Sequence, residues 1–156
     1  TTEETGGIIG NGDITMDWIV HVLKRTVDTQ YRTKADRRHT FLAGSSMGGL
    51  MTLYGLLAYP EVFSRGAALS PSLWIDAEKV KAMIRHARVK RNTVLYMDYG
   101  ALEFADHPHS RSLFAEVSAL LIEKRVLLNS RIVPRGTHCE ASWEKQIPFF
   151  MKTLFE

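Results

Sequence analysis

The chain contains a single cysteine, Cys139, among its 156 residues. One thiol excludes an intrachain disulfide and any cysteine-rich zinc site, so the fold has to be held by packing. No apolar run approaches the roughly 18–20 residues needed to cross a bilayer. Low-complexity tracts, linkers and internal repeats are absent, which leaves one domain over residues 1–156 as the expectation. The opening stretch, Thr1 to Gly12, has neither a basic start nor a hydrophobic segment, so no signal peptide is visible in it. It also lacks an initiator methionine, and the expectation is a chain truncated at its N-terminus. With one cysteine and no visible signal, the expected compartment is the cytoplasm. Charge of one sign is scarce too, at a net +3. Basic residues gather at Arg32–His39 and Arg85–Arg91, where helix ends and loops are expected and where cations favour a helix dipole. No aromatics interleave with them, so they read as solvated surface and not as a nucleic-acid interface.

What is present is enough for a core. The sequence is 45% hydrophobic and 24% charged, and a domain of about 150 residues buries roughly two-thirds of its unfolded surface. The hydrophobic period switches along the chain. After Gly12, Asp13 can cap a helix carrying Ile19, Val22, Leu23 and Val27 on one side. "HTFLAG" (His39–Gly44) reads as a buried strand ended by glycine. Met47–Tyr59 is apolar on nearly every face, as a buried helix would be, and Pro60 follows. "FSRGAALS" (Phe63–Ser70) is a second strand. Asp76 opens a helix with Val80, Met83, Ile84 and Ala87 on one side. "TVLYMDYG" (Thr93–Gly100) is a third strand, and Leu113, Val117, Leu120 and Leu121 stripe the next helix. "SRIVPRG" (Ser130–Gly136) reads as the last strand. Trp143, Ile147, Phe150, Met151 and Leu154 mark a terminal helix that Pro148 should kink or restart. Regular alternation of strand and helix predicts an α/β fold: a mostly parallel sheet with helices on both faces.

Functional groups of such a sheet belong at the carboxyl ends of its strands. The four strands deliver, in order, Gly44-Ser45-Ser46-Met47-Gly48; Ser70-Pro71-Ser72-Leu73-Trp74; Gly100 to Glu103 with Asp106, His107 and His109 close behind; and Gly136-Thr137-His138-Cys139-Glu140. The order serine, acid, histidine matches that of nucleophile-elbow hydrolases. Ser46 has glycine two places before and two places after it, whereas Ser45 has Ala43 and Met47 there. Glycines at those offsets remove Cβ atoms that would collide where strand and helix converge. The N–H of Met47 can then face a developing oxyanion. His138 is the expected base and Glu103 the expected carboxylate behind it. G-x-S-x-G alone is a weak signal, and its phosphate-binding alternative lacks the lysine of a P-loop. The pair His107 and His109 with Asp106 reads more simply as loop than as a metal site. Cys139 reads as a small packed side chain, since a rival nucleophile would need its own base.

Two longer segments, "YRTKADRRHTFLAGSSMGGLMTLYGLLAYPEVFSRGAALSPSLW" and "GTHCEASWEKQIPFF", resemble the α/β-hydrolase esterases of the Putative esterase family, of the esterase D type. The resemblance runs from about Ile14 to the C-terminus. Residue by residue it implies that Ser46 is the nucleophile and His138 the base. The turn "YGALEF" points to Glu103 as the acid, with Asp106 a candidate and Asp98 a remote one. Ser72 and Trp74 resemble residues beside the substrate cleft. Members of this family are longer, and their first half supplies several strands and a second oxyanion donor. The resemblance therefore implies an α/β-hydrolase-like fold lacking its N-terminal strands, which a second chain or missing segment completes or which stands as a reduced form of the fold. Left uncompleted, such a site should turn over slowly, because losing one oxyanion donor typically costs about 10²–10³-fold. The implied function is a serine carboxylesterase acting on a small-molecule ester through an acyl-enzyme, with no metal or organic cofactor. An acyltransferase using the same residues and a non-catalytic binding module are the alternatives.

Overall fold

The computed structural model describes residues 10–105 and 109–156. Its sheet has four parallel strands in sequence order: β1 (Phe41–Ser45), β2 (Arg65–Leu69), β3 (Val94–Gly100) and β4 (Leu127–Val133). The register runs Gly44↔Ala68, Ala68↔Met97 and Gly100↔Val133, which levels the carboxyl ends of the strands at one rim. The central strands β2 and β3 are buried along almost their whole length, whereas β1 and β4 are partly exposed. Burial on both faces is why β2 and β3 read as continuous apolar runs.

Side chains alternate between two layers. Leu95, Met97 and Tyr99 of β3 join the main core with helices α1 (Gly12–Trp18), α3 (Met47–Ala58), α4 (Ala77–His86) and α5 (Ser110–Glu123). Tyr96, with Ala67 and Leu69 of β2, faces the other way and packs under Leu154 of α7 (Ile147–Phe155). Helices therefore cover both faces, as the alternation of elements predicts. Asp76 caps α4 by accepting the Lys79 N–H at 3.1 Å. The terminal helix is two pieces, α6 (Glu140–Glu144) and α7, and Pro148 sits in the first turn of α7, where its missing N–H costs nothing.

Three local expectations need correction. The N-cap position of the first helix falls at Asn11, not Asp13, with no capping bond from the Asn11 side chain, and a π-helical stretch, Ile19–Leu23, separates α1 from α2 (Lys24–Gln30). That wider stretch shifts the faces. Met16 and Val20 are the buried residues, while Val22, Leu23 and Val27 lie exposed. Met16 wins because Gly55 of α3 leaves room for it: a Cβ on Gly55 would sit 2.9 Å from the Met16 methyl. The last strand starts at Leu127 and ends at Val133, three residues earlier than the apolar pattern suggests. It follows directly on the turn at Arg125, whose φ is 62°, and stops before Pro134, which has no N–H to give the ladder. On α7, Leu154 and Phe150 face the sheet, but Ile147 and Met151 are exposed.

Candidate active site

Ser46 stands at the end of β1 and immediately before α3, with φ 54° and ψ −120°. A left-handed φ on a residue with a Cβ is strained, and it lifts the hydroxyl clear of the strand. Two backbone bonds pin the turn: Ser46 N–H donates to Leu69 O at 2.9 Å, and Ser72 N–H donates to Ser46 O at 3.1 Å. The two motif glycines differ in purpose. A Cβ on Gly44 would lie 2.5 Å from the backbone C and O of Gly48, whereas a Cβ on Gly48 would meet nothing within 4 Å. The expected steric reason therefore holds at Gly44 and not at Gly48. Gly49, the third residue of α3, lies close against Leu69 O and Pro71 instead.

Glu103 and His138 reach Ser46 from two other strand ends. Gly100, the last residue of β3, approaches Gly136 so closely that a Cβ there would sit 2.4 Å from Gly136 O. Ala101 N–H and Leu102 N–H donate to Val133 O and Gly136 O, both at 3.0 Å, which ties the acid's turn to the histidine's loop. Glu103 Oε2 lies 2.7 Å from His138 Nδ1, and His138 Nε2 lies 2.8 Å from Ser46 Oγ. A carboxylate can only accept, so Nδ1 carries the proton and Nε2 is left to accept from the Ser46 hydroxyl. Glu103 is 4% exposed and His138 40% exposed, so a buried carboxylate anchors an imidazole that stays accessible.

The other expected residues divide. Ser72 is buried and its hydroxyl lies 3.3 Å from Ser46 Oγ. Trp74 is partly buried and packs against the main core. Met47 begins α3, where the first N–H groups have no acceptor within the helix. Asp98 is 1% exposed on β3, accepting from Ser70 N–H at 3.1 Å and Tyr96 OH at 2.8 Å, and burial pushes its carboxyl above the ordinary carboxylate range. Asp106 and His107 lie outside the described residues; His109 occupies the N-cap position of α5. Cys139 is half-buried, and its hydrogen bond with the Thr137 hydroxyl draws the thiol below its ordinary range. An apolar groove of about 450 Å³ lined by Leu50, Tyr54, Ile75, Val80 and Met83 flanks α3, but Ser46, Glu103 and His138 do not line it.

A family model described as Putative esterase matches residues 12–151. The chain belongs to the Putative esterase family. Among curated proteins, the Iron(III) salmochelin esterase of Escherichia coli O6:H1 is 35% identical over 78 residues, covering 49% of this chain and 19% of that protein. Among solved structures, an IroE-like serine hydrolase from Shewanella oneidensis superposes with a TM-score of 0.73 at 20% identity, over 95% of this chain and 50% of that one. The enterobactin esterase FES from Shigella flexneri does so with a TM-score of 0.69 at 24% identity, over 99% of this chain and 40% of that one. At these identities the superpositions establish the α/β-hydrolase-like fold, and this family member spans half or less of those relatives' length.

Two residues at the site escaped the sequence reading as site residues. Ser70 and Trp143 join the network around Glu103 and His138. Ser70 was legible as the last residue of the second strand and one of the groups delivered at its carboxyl end, and Trp143 as part of an apolar helical stripe and of the segment "GTHCEASWEKQIPFF".

Proposed function

We propose that the chain is a serine carboxylesterase in which Ser46 is the nucleophile, His138 the general base and acid, and Glu103 the orienting carboxylate. The observation that carries this reading is the continuous path Glu103–His138–Ser46, at 2.7 and 2.8 Å, across the carboxyl rim of a parallel sheet. Ser46 Oγ passes its proton to His138 Nε2 as it attacks the ester carbonyl, and the Met47 N–H faces the oxyanion. The imidazolium, held by Glu103, returns the proton to the leaving alcohol. Water deprotonated by His138 then releases the acyl group from Ser46. With Ser46 donating to His138, the Ser72 hydroxyl becomes the donor to Ser46 Oγ and borders the approaching carbonyl; Trp74 lies two residues further along the same rim.

Siderophore esters are the first substrate class to screen, since salmochelin and enterobactin are named in the relatives above. The test is turnover of a small activated ester alongside such a siderophore ester. His138→Ala and Glu103→Gln should each lose at least 100-fold in kcat while keeping the wild-type circular dichroism. Full turnover in His138→Ala would overturn the assignment.

The edge of β1 supports a partner for the same site. Among the described residues β1 pairs with β2 alone, and Ile14, Trp18 and Val22 are exposed on the neighbouring helix and its π-helical continuation. A strand-bearing polypeptide segment hydrogen-bonded to β1 and covering these side chains would supply the second oxyanion donor. Slow exchange of the β1 amides that point away from β2 is the expected sign of it in the active form, and rapid exchange there in fully active protein would exclude it.

A further inference from the structure

Ser70 combines two features that rarely occur together. It is 1% exposed, and its φ is 41°, a left-handed conformation in which glycine would be unstrained. A serine kept there has work for its side chain. Its Oγ lies 2.7 Å from Glu103 Oε1 and 3.0 Å from Trp143 Nε1. The indole N–H only donates and the carboxylate only accepts, so the direction is fixed: Trp143 donates to Ser70, and Ser70 donates to Glu103. Glu103 Oε1 also accepts the Gly100 N–H at 2.8 Å. With Oε1 held by two donors, Oε2 alone is presented to His138, and the carboxylate cannot rotate without breaking both bonds. Trp143 meets the other half of the path as well, its ring standing edge-on to the His138 imidazole at 5.0 Å between centroids and 84° between planes.

We propose that Ser70 and Trp143 are a positioning pair for the reaction described above: Trp143 braces the His138 ring and, through the Ser70 hydroxyl, locks the Glu103 carboxylate in the rotamer that serves it. Neither group touches the reacting atoms. The inference rests on the esterase reading, and its consequences separate from those of that reading. Because the backbone at Ser70 is strained, Ser70→Gly relaxes the turn while removing the hydroxyl. A purely structural residue would tolerate this change, whereas a positioning residue would not.

The experiment compares Ser70→Gly, Ser70→Ala and Trp143→Phe, alone and with Glu103→Gln, in hydrolysis of one activated ester. Trp143→Phe retains a ring against His138 and loses only the N–H. Ser70→Gly and Ser70→Ala should each lower kcat about 10- to 100-fold, the span expected for one lost hydrogen bond to a charged group, and Trp143→Phe, which loses a bond between neutral groups, about 3- to 10-fold, with KM within about twofold. In the Glu103→Gln background the same changes should cost less than about threefold, since the carboxylate they hold is gone. A proton spectrum gives a second readout independent of turnover: the downfield His138 Nδ1–H resonance of the wild type should move or broaden in Ser70→Gly and Trp143→Phe. Unchanged kcat and an unchanged resonance in those two variants overturn the positioning pair while leaving the path intact. Penalties undiminished by Glu103→Gln also overturn it. If Glu103→Gln alone keeps full turnover, the esterase reading of Glu103 fails, and the pair falls with it.

Discussion

Replacing each motif glycine by alanine should give opposite results, although the two flank Ser46 symmetrically in sequence. In Gly44→Ala the new Cβ meets Gly48 C and O at 2.5 Å and Gly48 Cα at 2.9 Å, against the 3.4–4 Å of ordinary contact. These are backbone atoms and cannot rotate away. β1 is fixed by its register with β2, Gly44 opposite Ala68, so the start of α3 has to retreat by about 1 Å. Overpacking of this kind costs about 1–3 kcal/mol. At about 2–4 °C per kcal/mol for a chain of this size, Tm should fall by about 2–12 °C. The retreat carries Ser46 and the Met47 N–H with it, and a misplacement of about 1 Å can cost about 100-fold in rate. Gly48→Ala adds a methyl that, apart from its chain neighbours and the backbone of its own helix, meets no atom within 4 Å, in the first turn of α3. Alanine exceeds glycine by up to about 1 kcal/mol in a helix, so Tm should hold or rise slightly. Thermal melts and turnover of a small ester decide the matter. A Gly44→Ala protein with wild-type Tm and rate, or a Gly48→Ala protein more damaged than Gly44→Ala, would refute the steric account of the turn.

Two further changes probe the frame around the site. Gly100→Ala would place a Cβ 2.4 Å from Gly136 O and 2.5 Å from Glu103 Oε1, so it should lower both Tm and kcat by parting the acid's turn from the histidine's loop; a neutral result by melt and assay would deny that close approach. Asp76→Ala removes the α4 cap and should cost about 1 kcal/mol, or about 2–4 °C in Tm, at neutral pH. The bond with the Lys79 side chain, and then with its N–H, holds the Asp76 carboxyl below its ordinary range. A depressed carboxylate stabilises above its unfolded value and loses that contribution as pH falls through the folded one. The Tm gap between wild type and Asp76→Ala should therefore narrow in acid, at pH values below the ordinary carboxylate range, and a gap that stays constant would rule out the charged cap.

The parallel α/β fold was legible because its central strands are short apolar runs ended by glycine or serine, and because α4 begins at a recognisable cap, Asp76. Ser46 was legible from spacing, since one serine alone had glycine at both offsets. The carboxylate proposed as the acid was harder to choose: Glu103 and Asp106 both follow the third strand, and it is the approach of Gly100 to Gly136 that sets Glu103 against His138. No local pattern encodes that contact, because its two sides are 36 residues apart. The first helix misled for a different reason. A 3.6-residue period cannot anticipate a π-helical stretch, and Val22 and Val27 are as apolar as the Met16 and Val20 that are buried. Ser70 was hidden because a backbone φ of 41° leaves no mark on a serine in sequence.

In the proposed reaction Ser46 is activated by His138 and Glu103. Intact-mass measurement after exposure to a fluorophosphonate tests it most directly, with wild type and Ser46→Ala treated side by side. A single adduct on the wild type, absent from Ser46→Ala, is the predicted result. An unmodified wild-type protein with intact secondary structure, or an adduct that persists in Ser46→Ala, would contradict it.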